Sequence, residues 1–599
     1  MVVQNRWLRY GFICAGALLF TSFYLSPSFA MAVEKPAAPA QVAWNIPHLT
    51  QPPKIDGDLS EWANIVPVFL GVEKDQIRYY SLRPWAGPLD SSAKIWMGWD
   101  KDNLYFAADI RDDVFYQTCS SADTGEIWSE DSLWLSMASP DEISQAGTVK
   151  RLNEFIWSTD KTGSLLFVSE HELKDKKVGA LPAAARKKAA GNGWICEGAI
   201  PWKEIALSAR PGTLVRLSWG IADSDSGTKA LISDIGAHIG TKDFVTADLI
   251  ALLWPRSVGS FYKPWNFALV TLSGSPPPTN NSLAQQSAAR EYQGLLARHR
   301  TAKDMTPAQA LLWDGQVQTF FGKVSVAEGS YHRVLSKFRE EDSSILALRC
   351  LARLLSATQG QAAAVEACKE IIKASAQSST FLRTAIDELA KREFKATGEA
   401  AASQELSNFI AGLQGSEVRA EAQDALANFS YRQGKLDLAE GEWTDLIKRC
   451  SKSAGREKQL AESAQEMLLY VTYKKGIREG ARGNVDAAIQ IILQVAQDPN
   501  WSGSRVEAFL ELGNCCEKLQ RWDEALKYYQ LALNSKPTLI MQEWGKFKTA
   551  VCLYKAKRYK DAEVAFDELL KENPTKYVAK ESQRILGLCR KHANGKAQG

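Results

Sequence analysis

Hydrophobic and polar positions follow two different rhythms along this chain. Through residue 273 the apolar residues tend to alternate with polar ones over short runs; beyond it they recur at helical spacing. The segment Ile127–Met137, IWSEDSLWLSM, is the key case: alternation puts Leu133, Leu135 and Met137 on one face of a strand and Ser132, Trp134 and Ser136 on the other. A large aromatic on the polar face is not needed for a core. With Trp128 just upstream, Trp134 offers a surface for flat, partly apolar ligands such as sugar rings, whose C–H faces lie on indole while their hydroxyls stay wet. The competing role for Trp134 is packing beneath a loop.

The segment Ala93–Asp113 predicts a hairpin, with Ile95, Met97 and Trp99 alternating inward, a polar turn over Asp100–Asn103, and a second strand over Leu104–Ile110. Strand-like runs follow at Glu154–Trp157, Leu165–Val168, Trp194–Ile200, Val215–Ile221 and Phe267–Leu272. Many short strands separated by loops indicate an all-β sandwich. Within Lys54–Trp62, KIDGDLSEW, Asp56-Gly57 supplies turn chemistry, and Asp58 or Ser60 can cap the turn leading to Trp62.

Ser273–Ser282, SGSPPPTNNS, breaks the pattern, and its three prolines favour an extended spacer. Beyond it Thr306-Pro307 is an N-cap and N1 pair opening a helix. Small alanines recur at Ala327, Ala364, Ala402, Ala439, Ala488, Ala525 and Ala562, at intervals of 37, 38, 37, 49, 37 and 37. Twelve residues before each stands Gly315, Ala352, Ala390, Ala427, Gly476, Gly513 or Ala550; four after each stands Tyr331, Cys368, Leu406, Trp443, Ile492, Tyr529 or Phe566. The long interval places an insertion around Ser451–Gln465, and Tyr577–His592 reads as a capping helix. Gly513 is expected to tolerate alanine but not leucine, which would push paired helices apart. The chain is therefore read as multidomain: leader 1–32, tether 33–41, all-β sandwich 42–273, proline-rich linker 274–283 and all-α solenoid 284–599, with two separable folded bodies.

Composition narrows function. With 599 residues more than one domain is required, and a formal net charge of +3 gives no nucleic-acid signal. Arg6 and Arg9 precede an apolar run, Tyr10–Leu25, then Pro27 and the small-x-small site Ala30-Met31-Ala32, which predicts export to the periplasm, cell envelope or extracellular space. The ten cysteines are not a disulfide framework, although Cys119 with Cys196, or Cys515 with Cys516, can oxidise after export. Six scattered histidines have no metal-ligand spacing. No cofactor is expected beyond structural calcium, for which the acidic groups Asp109/Asp112/Asp113 and Asp223/Asp225 are candidates, solvated turns being their ordinary role. No nucleophile–base pair or phosphate loop emerges, so the chain is read as non-catalytic, the alternative being a paired-carboxylate glycosidase, whose two acids can come from anywhere in a sequence.

KIDGDLSEW, then AKIWMGWDKDNLYFAADIRDD, the Trp128-x-x-Asp131-Ser132 strand entry, EGAIPWKEI (Glu197–Ile205) and SFYKPWNFALVTL (Ser260–Leu272), in that order, resemble a family 9 carbohydrate-binding module. That resemblance implies a sugar sandwiched between two tryptophans. Trp128 matches the first; Phe261, with Tyr262 beside it, stands at the second; Trp134 replaces a hydroxyl-binding glutamate, and Ile156, after Phe155, replaces an arginine. The implied face is more aromatic and less polar than the family's, with Trp96 on the outward side of its own strand. The second half is similar to tetratricopeptide repeats, best in Val506–Pro537, where Phe509, Leu512, Gly513, Ala525, Tyr529, Ala532 and Pro537 match the pattern. The implied partners are a poly- or oligosaccharide for the sandwich, in glycan breakdown, and a protein for the repeats. The competing reading is an envelope scaffold in which both halves bind protein.

Overall fold

The computed structural model describes residues 44–79, 85–119, 127, 130–142, 152–160, 165–171, 175–178, 181, 183–188, 193–224, 250–254, 267–277, 281–339, 341–375, 379–501 and 503–595. The leader, the tether, Trp128, Phe261, Tyr262 and Asp225 lie outside these.

Fourteen strands form the first region among the described residues: β1 Trp44–Ile46, β2 Val68–Leu70, β3 Ile77–Tyr79, β4 Ser91–Trp99, β5 Asn103–Asp112, β6 Ser132–Ala138, β7 Asn153–Thr159, β8 Leu165–His171, β9 Asp175–Val178, β10 Ala183–Lys187, β11 Trp194–Pro201, β12 Leu214–Asp223, β13 Ile250–Trp254 and β14 Ala268–Leu272. One sheet runs β1-β14-β12-β6-β7-β8-β9, with β13 joining β12 to β3; the other runs β10-β11-β5-β4-β2. Their facing sides bury one apolar core, in which Ile95, Met97, Leu133, Leu135, Met137, Phe155, Trp157 and Trp219 are all at most 1% exposed. The inward alternation read from the sequence for β4 and β6 is therefore the one found. The hairpin turn closes because the Asp100 carboxylate accepts the backbone N–H groups of Asp102 and Asn103, each at 2.8 Å. Asp58 caps the turn before Trp62, its carboxylate accepting the Ser60 N–H at 3.1 Å.

Two sequence motifs far apart in the chain meet at Glu197. Its fully buried carboxylate accepts the Gly57 N–H at 2.6 Å and the Trp62 indole N–H at 2.7 Å. KIDGDLSEW is thereby pinned across the outer face of the five-stranded sheet. Trp202, in the same EGAIPWKEI segment, donates its indole N–H to the Asp100 carbonyl at 2.9 Å and so anchors the hairpin turn.

The second region is helical: α1 Asn281–Thr301, α2 Pro307–Phe320, α3 Val324–Lys337, α4 Asp342–Thr358, α5 Gln361–Ser375, α6 Ser379–Thr397, α7 Glu399–Ala411, α8 Ser416–Arg432, α9 Leu436–Cys450, α10 Gly455–Ala481, α11 Val485–Gln497, α12 Arg505–Lys518, α13 Trp522–Asn534, α14 Leu539–Lys555, α15 Tyr559–Lys571 and α16 Lys576–Gly595. From α2 to α15 they form seven antiparallel pairs, and α16 packs on the last. Thr306 and Gln309 make a reciprocal capping box with Pro307 at the first helical position. The recurrent alanines from Ala327 to Ala562 and the bulky residues four positions on are at 0% exposure. The long interval lengthens α10 to 27 residues.

Small residues sit on the first helix of a pair because the second helix drives a side chain into that spot, a ring in four of the seven repeats. A Cβ on Gly315 would lie 2.6 Å from the Tyr331 ring, and one on Gly513 only 2.2 Å from the Tyr529 ring. The tolerance of alanine expected at Gly513 is therefore corrected: the ring occupies even a methyl's space. Between the paired helices one residue takes positive φ: Gly322, Gly360, Gly398, Gly434 and Gly483, then Gln520 and Lys557. The nine described cysteines are free. Cys196 lies in the sandwich core while Cys119 packs with Ile127 and Leu166 beside another sheet, so these two do not pair.

The two regions share buried surface. Trp85 stacks on Trp313 of α2 at 5.5 Å, and Trp313 belongs to the sandwich core cluster. Phe69 on β2 and Val72 pack with Leu295 and Leu296 of α1 and with Val317 and Phe320 of α2. A proline-containing linker signals extension locally; it says nothing about whether the bodies it joins then pack together.

Candidate functional site

The aromatic segment identified from sequence enters the nine-stranded sheet at its middle, where β6 pairs β12 on one side and β7 on the other. Trp134 stands on the outer face, opposite Ile156 of β7 and Gly220 of β12. It is half-buried, and its indole N–H donates to Ser132 Oγ at 2.7 Å. That bond fixes the ring's edge within the protein, which leaves stacking on the ring as the mode open to a ligand. On this face Ser132, Ser136 and Ser158 are buried and Gly220 has no side chain, while Ile156 and Glu154 of β7 are the longer neighbours. The arginine-like reach that the family would place after Phe155 is replaced by Ile156, half-buried and packed towards Ile127 and Leu166.

The strand entry is built by two acidic residues. Glu130, fully buried, accepts the Thr118 N–H at 2.6 Å, drawing residues 117–119 against β6. Asp131 accepts the Ser224 N–H at 2.7 Å and that of Tyr116, and so ties three loops at the base of the segment that carries Trp128. Trp128, Phe261 and Tyr262 lie outside the described residues. Trp96 is on β4 of the other sheet, packed with Trp62, Tyr105 and Leu59 under KIDGDLSEW. It does not share a face with Trp134.

Three carboxylates converge beneath the same entry. Asp112, Asp131 and Asp223 are 4%, 1% and 1% exposed, and one oxygen from each lies within 4.8 Å of the others. Burial, then repulsion from Asp112 and Asp223, raises Asp131 well above the ordinary carboxylate range. Such a trio can hold a proton or coordinate a divalent cation through hard oxygens. Asp131 already accepts two backbone N–H groups, and Asp112 accepts the Val114 N–H at 2.8 Å, so the protein has filled part of their coordinating capacity. The acidic groupings suggested by sequence separate here: Asp109 pairs with Lys188 and Asp113 with Arg353, while Asp112 and Asp223 join Asp131, a residue the sequence reading had not assigned to them.

No catalytic constellation is found among the described residues, and both regions are of kinds that ordinarily lack catalysis. No helix of the described residues is long and apolar enough to cross a membrane.

Comparison with known proteins supports both halves. Residues 73–242 match the family model "Carbohydrate family 9 binding domain-like", and residues 506–539 match the tetratricopeptide repeat model. No curated protein matches the chain significantly. Among solved structures, a family 9 carbohydrate-binding module from Caldicellulosiruptor kristjanssonii in complex with glucose is similar at 15% identity, covering 39% of this chain and 98% of that one, with a TM-score of 0.24. A tetratricopeptide repeat protein from Parabacteroides merdae is similar at 13% identity, covering 47% of this chain and 98% of that one, with a TM-score of 0.20. The chain carries an N-terminal β domain like those of carbohydrate-binding family 9, followed by a tetratricopeptide-like helical repeat region.

Proposed function

We propose that this chain is an exported, non-catalytic protein that binds a poly- or oligosaccharide on the outer face of its nine-stranded sheet and docks a protein partner in polysaccharide breakdown through its repeats. The observation that carries the reading is the half-buried Trp134 on that face, in a domain that matches carbohydrate-binding family 9. The family resemblance implies Trp128, three residues before Asp131 in the sequence, as a further stacking ring, with Phe261 and Tyr262 at the position of the family's second tryptophan. Stacking without the family's charged partners favours modest affinity and broad selectivity, because each absent hydroxyl bond removes about 1 kcal/mol.

The rest of the sandwich supports this choice of face. The other sheet's outer side is taken up by KIDGDLSEW at one end and by α1 and α2 at the other. The rival scaffold reading has the old ligand face packing on protein, either another chain or the repeats of this one. The residues that pack there come instead from β2, β4, β5 and the segment before β4. A glycan array probed with the full chain and with Trp128→Ala tests the proposal. Binding by the wild type that the variant loses supports it; equal signals from both, or none from either, overturn it.

A further inference from the structure

The contact between the two regions is built along equivalent positions of successive repeats. Trp313 and Cys350 each lie two residues before the small residue of their repeat, Gly315 and Ala352; Gln316 and Arg353 each lie one residue after it. Across these positions runs the segment from Trp85 to Asp90, WAGPLD. Trp85 stacks on Trp313, and the Ala86 carbonyl accepts the Cys350 S–H at 3.2 Å. Gly87, with φ +98°, passes so close that a Cβ would lie 2.9 Å from Cys350 Sγ and 3.9 Å from Gln316. Leu89 packs into the core of the early repeats.

The segment ends on a buried charge. Asp90, 1% exposed, holds its own turn by accepting the Ala86 N–H at 2.6 Å, and its other oxygen is 2.7 Å from the Arg353 guanidinium. Arg353, 8% exposed, also forks onto Asp113 at 3.2 and 3.4 Å. Burial alone would raise the Asp113 carboxyl; Arg353, with Lys391, Lys395 and Arg392 behind it on α6, outweighs burial and holds it below its ordinary value. Lys391 stands one residue after Ala390, continuing the row of Gln316 and Arg353 into the third repeat.

We infer that Trp85–Asp90 is a resident ligand of the first two repeats: this sandwich segment permanently occupies a surface that would otherwise be offered to a partner, so an external protein engages the repeats beyond α5. An arginine shared by one buried and one half-buried carboxylate, an aromatic stack and a glycine with no room for a side chain mark a specific fit rather than a glancing contact. This inference is independent of the sugar reading.

The full chain with a specific protease site placed within residues 278–280 tests it. After cleavage the two fragments of the otherwise wild-type chain should co-elute on gel filtration at micromolar concentration. Arg353→Glu should weaken their association by about 100-fold or more, since it sets a third carboxylate against the buried Asp90 and the half-buried Asp113, and Asp113→Arg added to it should restore part of the loss. If Arg353→Glu lowers the helix content, Gly87→Val, on the sandwich side, reads the same association without altering the repeats. Fragments that separate on cleavage of the unsubstituted chain overturn the inference, as does co-elution that neither Arg353→Glu nor Gly87→Val weakens.

Discussion

Replacing Gly513 by alanine adds one methyl to the interior of the repeat, where the structure leaves no volume for it. The new Cβ would lie 2.2 Å from Tyr529 Cε1, 2.5 Å from Cδ1 and 2.7 Å from Cζ, against about 3.5–4.0 Å for a relaxed carbon contact. The ring cannot simply withdraw. Tyr529 is fully buried, and its hydroxyl donates to Glu517 Oε1 at 2.5 Å and lies 3.1 Å from Asn514 Oδ1, both on the helix that carries Gly513. Overpacking of this kind costs about 1–3 kcal/mol, and displacing the hydroxyl from a carboxylate adds about 1.5–3 kcal/mol. Alanine returns about 1 kcal/mol through its better helix propensity. The expected net is a loss of about 1.5–5 kcal/mol, measured as a lower urea midpoint of the circular dichroism signal at 222 nm. In a Tyr529→Leu background the same substitution should be neutral or stabilising, because the ring is gone. A Gly513→Ala variant as stable as the wild type in the Tyr529 background would refute the reasoning.

Other predictions address the turns and the buried acids. Lys557 is exposed and holds φ +61° at the position where five earlier repeats use glycine; Lys557→Gly should raise the urea midpoint, by about 1 kcal/mol. A fall in the midpoint would show that the side chain, not the backbone angle, matters there. Glu442 on α9 is 6% exposed, has no cation paired with it among the described residues, and is pushed up by burial to about 7. A raised carboxyl means the folded state holds the proton more tightly, so stability is full below about pH 4.3 and declines as pH rises towards 7. Glu442→Gln should remove that decline and leave the repeats up to about 3 kcal/mol more stable above pH 7, read as melting temperature against pH for both proteins. Parallel profiles would show that Glu442 is not the group responsible.

What could be read from the chain, and what could not, follows from the range of the forces involved. Leu133, Leu135 and Met137 were legible because strand geometry alone fixes which side chains share a face. Gly315, Ala327 and Tyr331 were legible because a repeat writes the same packing demand seven times. The size of the demand at Gly513 was not: spacing says that a small residue is needed, and only coordinates say that the Tyr529 ring leaves no room for a methyl. Contacts between distant segments were also hidden. Arg353 looks like any helical arginine until Asp90 and Asp113, some 240 residues away or more, arrive on either side of it. Asp112, Asp131 and Asp223 come from different strand ends, so neighbouring acids such as Asp109 and Asp113 looked like better companions than the ones the fold supplies. Trp96 shares the outward alternation of Trp134, and alternation cannot tell which of two sheets a strand will join.

Calorimetric titration of the full chain and of Trp134→Ala with xylan, cellulose and mixed oligosaccharides, beside thermal melts of both, tests glycan recognition most directly. The account predicts measurable heat for the wild type, loss of that heat in the variant, and a stability change well short of the ~3–5 kcal/mol expected when a fully buried aromatic such as Trp157 is truncated. Absence of heat with every glycan, together with a Trp134→Ala variant destabilised as severely as a core truncation, would contradict it and make Trp134 a packing residue.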